Sequence, residues 1–111
     1  GEKYNIGGHN EKQNIEIVEI IIDTIHDMLD DSDERKAHVN RDLITYVEDR
    51  KGHDRRYAIA PDKIKKEIGW EPETMFKEGI KLTIEWYFNH TDWMENVTSG
   101  DYQKYYSEMY K

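Results

Sequence analysis

Four cations, Arg50, Lys51, Arg55 and Arg56, crowd around Gly52 in a chain whose net charge is -8. A local basic knot in an acidic chain is what a phosphate-bearing ligand needs. Arginine suits that work because its planar fork donates two parallel hydrogen bonds to an oxyanion. Gly52 lets the backbone turn, or approach a ligand, where a side chain would clash. Asp49, His53 and Asp54 stand inside or beside the knot, so plain surface pairing of Arg50 with a neighbouring carboxylate is the competing account. Asn14 is the other polar residue of interest. It sits ahead of an apolar run and can cap a helix, present its amide to a ligand, or do both. A helix N-terminus also favours anions. The histidines at 9, 26, 38, 53 and 90 have no zinc-site spacing and no companion ligands, so no metal site is expected.

These residues need elements to hold them. Apolar residues at 18, 21, 22, 25, 28 and 29 follow the 3.6-residue period, so a helix with one buried face runs on from Asn14. Lys3–Ile6 alternates like a short strand that Gly7-Gly8 ends, and Leu43–Val47 reads as a second strand feeding the basic knot. Asp30 to Arg41 is a charged loop. Pro61 suits the start of a short helix over Asp62–Ile68, with Gly69 as its stop. Thr74 can cap a longer helix ending near Asn89, with Phe76, Ile80, Ile84 and Tyr87 on one face. Ser99 can cap a last helix carrying Tyr102, Tyr105, Tyr106, Met109 and Tyr110, a face better suited to core and docking than to stacking bases. The expected class is therefore α/β: one small mixed domain over 1–111, with few short strands and about four helices.

Composition narrows the function classes. Only 36% of the 111 residues are hydrophobic and 36% are charged, thin for a domain that stands alone. Three Trp and eight Tyr partly compensate. The absence of cysteine excludes disulfides and thiolate chemistry. No run approaches the ~18 apolar residues of a membrane span, and no signal-peptide pattern opens the chain, so cytoplasmic residence without membrane contact is expected. The acidic balance argues against nucleic acid as a partner.

The run Asp49-Arg50-Lys51-Gly52-His53-Asp54-Arg55-Arg56-Tyr57-Ala58-Ile59 resembles the segment of the dTDP-glucose 4,6-dehydratases that closes over the nucleotide diphosphate. Tyr4–Asn14, Ile64–Pro72, Phe76–Ile80 and Ser99–Tyr102 are similar to the same family, in the same order along the chain. The resemblance implies a substrate-binding part of an extended short-chain dehydrogenase, with Arg50 on the diphosphate. It places Asp49, Lys51, Gly52 and His53 in the nucleotide-holding turn, and a nucleotide-contacting Asn at 14. Arg55 and Arg56 would be structural or lie behind the phosphates. Lys51 stands where the family usually has proline, and Ala60 where aspartate is expected, which leaves the loop backbone freer.

The same resemblance implies a longer parent: a homodimer with an upstream NAD-binding Rossmann domain, serving deoxysugar (rhamnose-type) precursor synthesis. In a complete enzyme NAD oxidises C4 of the glucose, water leaves across C5–C6, and the hydride returns to C6. Neither a Gly-x-x-Gly-x-x-Gly fingerprint nor a Tyr with Lys four residues on occurs in this sequence. No catalytic residue is therefore expected within 1–111. The chain should hold nucleotide without turning it over and bind no NAD by itself. The alternatives are the substrate domain of a UDP-sugar epimerase or decarboxylase, which tends to carry Asp where His53 stands, and a non-catalytic interaction module.

Overall fold

Helices are the regular elements of this chain. The computed structural model describes residues 1–100 and the backbone of 102–109. Five α-helices form there: α1 (Asn14–Met28), α2 (Asp62–Ile68), α3 (Phe76–Asn89), α4 (Thr91–Thr98) and α5 (Tyr102–Met109). Short 3-10 turns cover Glu34–His38 and Arg41–Leu43 inside the charged loop. The expected face of Tyr102, Tyr105, Tyr106, Met109 and Tyr110 concerns side chains outside the described residues.

The long apolar stripe forms α1 as its period requires, and Ile22 is buried on it; α1 packs against α3, where Ile84 is buried. Leu29, just past the last turn of α1, is buried as well. Gly69 ends α2 in the left-handed conformation (φ 75°) that glycine adopts without a Cβ penalty. The caps fall elsewhere than the sequence indicates. Gln13, not Asn14, precedes α1, and Met75, not Thr74, precedes α3, while Ser99 closes α4 rather than opening a helix. Helix α4 itself was not expected. It follows a break at His90, whose ring stacks on Trp86 at 4.1 Å and whose Nδ1 lies 2.7 Å from the Trp86 carbonyl.

The expected strands are not there, and the mixed α/β reading is corrected to helices joined by extended chain among the described residues. The reason is a missing partner. A strand exists only as a hydrogen-bonded ladder, and an unpaired one offers its N–H and C=O groups to water. Glu2, Lys3 and Tyr4 instead contact α2: Tyr4 Oη donates to Glu67 at 3.0 Å, and Lys63 Nζ donates to Glu2 at 2.8 Å and to the Lys3 carbonyl at 3.2 Å. Leu43 closes a 3-10 turn, and Tyr46 and Val47 beyond it are 84% exposed.

That exposure is general. Folded monomers of 13.3 kDa present about 6,500 Å² of surface, whereas this chain presents 10249 Å². Its radius of gyration is 18.1 Å, against about 13 Å for a compact domain of this length. Ile6, Leu43, Tyr57, Ile59, Ile68 and Met75 all stand more than half exposed. By itself the chain is expected to melt at or below ordinary mesophile temperatures, or to associate through this surface. Sizing and thermal melting check this. A clean monomer with a sharp, concentration-independent transition well above ~65 °C would contradict it.

Candidate nucleotide-binding cleft

An open cleft of about 860 Å³ lies between the start of α1 and the segment 49–57. Its wall is set by a tight turn over Arg50–His53, in which the His53 N–H donates to the Arg50 carbonyl at 3.3 Å. Gly52 is the third residue of that turn, with φ 73°. A type II turn needs positive φ at its third position, hence glycine, and favours proline at the second. Lys51 occupies that second place and keeps the turn without pre-setting its backbone. Nothing lies within 4 Å of a Cβ built on Gly52. The glycine is required by its dihedral alone, not by crowding.

Asp49 anchors the turn. Its Oδ1 accepts the Arg50 N–H at 2.8 Å and lies 2.8 Å from His53 Nδ1. The His53 hydrogen bond, with help from the Arg50 amide, holds the Asp49 carboxyl below its ordinary value. His53 is partly shielded, its side chain 25% exposed, and its ring is tilted toward Tyr57 at 6.4 Å between centroids.

On the facing wall, the α1 terminus is satisfied without Asn14. Glu16 reaches back to accept the Gln13 N–H at 2.6 Å, the reciprocal half of a capping box. Asn14, the first helical residue, lines the cleft with its amide uncommitted among the described residues. The cap thus falls to Gln13 and Glu16, and Asn14 is left facing the cleft. Arg56 pairs with Glu11 across the cleft. Glu11, Lys12, Gln13, Glu16 and Tyr57 are the lining residues that the sequence did not single out. A capping-box reading of Gln13 and Glu16 is available from their spacing; for Glu11, Lys12 and Tyr57 no local signal exists.

The structure gathers Asn14, Asp49 and His53 into one cleft, with Arg55 and Arg56. It leaves Arg50, Lys51 and Gly52 off the lining, exposed at the rim. The lining itself carries four carboxylates (Glu11, Glu16, Asp49, Asp54) against Lys12, Arg55 and Arg56. Arg56 is already paired with Glu11. An anion here must draw its charge from the rim, where the Arg50 and Lys51 side chains make no ion pair among the described residues. No group of three or more metal-ligating side chains occurs among the described residues, and no described helix is long and apolar enough to cross a membrane.

A family model described as GDP-mannose 4,6 dehydratase matches residues 1–83. Over 111 residues the chain is 50% identical to a dTDP-glucose 4,6-dehydratase of Shigella flexneri and 48% identical to dTDP-glucose 4,6-dehydratase 1 of Escherichia coli K12. Each match takes in 100% of this chain but 29% of the relative, so the chain spans under a third of their length. Among solved structures, a dTDP-glucose 4,6-dehydratase from Bacillus anthracis in complex with NAD superimposes with a TM-score of 0.65 at 42% identity. That match covers 81% of this chain and 24% of the other.

Proposed function

The chain belongs to the GDP-mannose 4,6 dehydratase family, and within it we propose the C-terminal, nucleotide-sugar-holding part of a dTDP-glucose 4,6-dehydratase. The observation that carries this reading is the full-length match to such enzymes at about half identity. It bears out the resemblance seen in Asp49–Ile59 and in the opening Tyr4–Asn14.

The work of the chain in that enzyme is to bind and orient. Arg50, at the rim, swings onto the diphosphate, where its fork can donate two hydrogen bonds to the phosphate oxygens. Lys51 adds a point charge beside it. The Gly52 turn and the Asp49 anchor fix where Arg50 and His53 leave the backbone. Asn14 closes on the ligand from the opposite wall with the amide that the capping box leaves available.

NAD, bound by a Rossmann domain elsewhere in the enzyme, would supply the hydride chemistry at C4 and C6 of the sugar. The residues of this chain do not fit NAD themselves: the sequence holds no glycine-rich dinucleotide fingerprint. Homodimeric assembly and a cytoplasmic location belong to the same proposal. The surface left open by the helices, with Tyr46 and Val47 at its most exposed point, suits contact with that domain.

Titration of dTDP into the full-length enzyme tests the reading. Binding that is tighter for dTDP than for thymidine is expected. Equal affinity would show that the diphosphate is not held and would remove the basis for it.

A further inference from the structure

Glu11 is a carboxylate on the lining of a cleft that must take an anion, on the premise that the cleft holds the nucleotide as proposed above. It stands on the segment leading into α1, and Arg56 reaches it from the opposite wall, 45 residues away in sequence. Among the described residues no other ion pair joins the two walls.

Fastening the walls is not the main work of this pair. Both side chains are more than half exposed, and an exposed pair adds little to stability. The two segments also meet without it. A Cβ built on Gly7 would lie 3.1 Å from Ile59 Cγ2, so the chain before α1 already passes tightly against the chain after Arg56. With the walls set there, what Arg56 alters is charge. An unpaired Glu11 carboxylate would repel the diphosphate, and a partly enclosed site screens that repulsion less than open water does.

We propose that Arg56 is a positioning residue that acts through Glu11: it draws the carboxylate onto its own guanidinium and removes that repulsion, leaving the phosphate contacts to other groups.

Calorimetric titration of dTDP and thymidine into full-length enzyme tests this. Arg56→Gln, which leaves Glu11 unpaired, should weaken dTDP about two- to fivefold, the range of one exposed ion pair. Thymidine, with no phosphate to repel, should bind it as it binds wild type. Removing both charges in Glu11→Gln/Arg56→Gln should restore dTDP affinity, and Glu11→Gln alone should bind dTDP at least as tightly as wild type. Arg56→Lys keeps a cation beside Glu11 and should keep most of the affinity.

A double variant no better than Arg56→Gln would mean that Arg56 holds phosphate directly and would overturn the proposal. Equal losses for thymidine and dTDP in Arg56→Gln would overturn it too, because the pair would then serve the fold. Should Arg56→Gln fail to fold, Glu11→Gln still decides: weaker dTDP binding there contradicts the masking of a repulsive charge. Wild type that binds dTDP no better than thymidine removes the nucleotide reading itself, and the proposal falls with it.

Discussion

Given NAD and dTDP-glucose, the 111-residue chain by itself is expected to form no 4-keto-6-deoxy sugar above a no-protein control. Oxidation at C4 requires a dinucleotide site and a base, and the sequence contains neither the glycine fingerprint nor the Tyr–Lys pair that supplies them in short-chain dehydrogenases. The cleft is lined by one histidine, four carboxylates, two arginines and a lysine, with Gln13, Asn14 and Tyr57. Enzymes typically accelerate their reactions by about a millionfold or more, and all of that acceleration should be missing here. Product accumulating over the control, dependent on the chain and on NAD, would mean that groups within 1–111 do the chemistry.

Arg50→Ala in the full-length enzyme is expected to weaken dTDP binding by roughly tenfold to a hundredfold, which corresponds to the loss of a hydrogen bond to a charged group, about 1.5–3 kcal/mol. The electrostatics of the cleft make this residue decisive. Four carboxylates line it against three cations, and one of those cations, Arg56, is paired with Glu11. The Arg50 guanidinium has no ion-pair partner among the described residues and is available to a ligand at no cost in broken contacts. Arg56→Ala should cost less, because its main contact is with Glu11. For thymidine, which has no phosphate, the Arg50→Ala deficit should be far smaller. Calorimetric titration of both ligands into both variants is the measurement. Equal losses for dTDP and thymidine would mean that Arg50 supports the fold and not the phosphate.

Much of the helical framework could be read from residues alone. The stripe from Val18 to Leu29 yields α1, and Pro61 with Gly69 brackets α2. Such signals are local, because a helix satisfies its own backbone. The strands could not be read correctly because their existence depends on a neighbour. Leu43–Val47 has the β-branched and aromatic content of a strand, yet among the described residues it finds no ladder. Helix α4 escaped notice for another reason. Trp93, Met94 and Val97 do recur at helical spacing, but the polar Asn89-His90-Thr91-Asp92 before them reads as a loop. The stacking of His90 on Trp86 and its contact with the Trp86 carbonyl make it a corner between two helices.

At the site, the residue types can be read from the sequence and their arrangement cannot. Arg50 and Gly52 stand out by type and spacing, whereas His53 is singled out by the resemblance to the dTDP-glucose 4,6-dehydratases. Which of them face the cleft depends on the turn at Arg50–His53, and this places His53 on the wall and Arg50 on the rim. The freedom of Asn14 depends on Gln13 and Glu16 taking over the cap, a trade among three polar residues within one turn that sequence alone leaves open.

A chimera gives the most direct test of the assignment. This chain would replace the stretch it matches in the Escherichia coli relative, where the two are 48% identical over the whole 111 residues. The expected result is an enzyme that binds dTDP and converts dTDP-glucose to the 4-keto-6-deoxy sugar. A chimera that folds and retains NAD, yet gives no heat with dTDP and no product, would contradict the claim that these residues form the nucleotide-sugar-holding part.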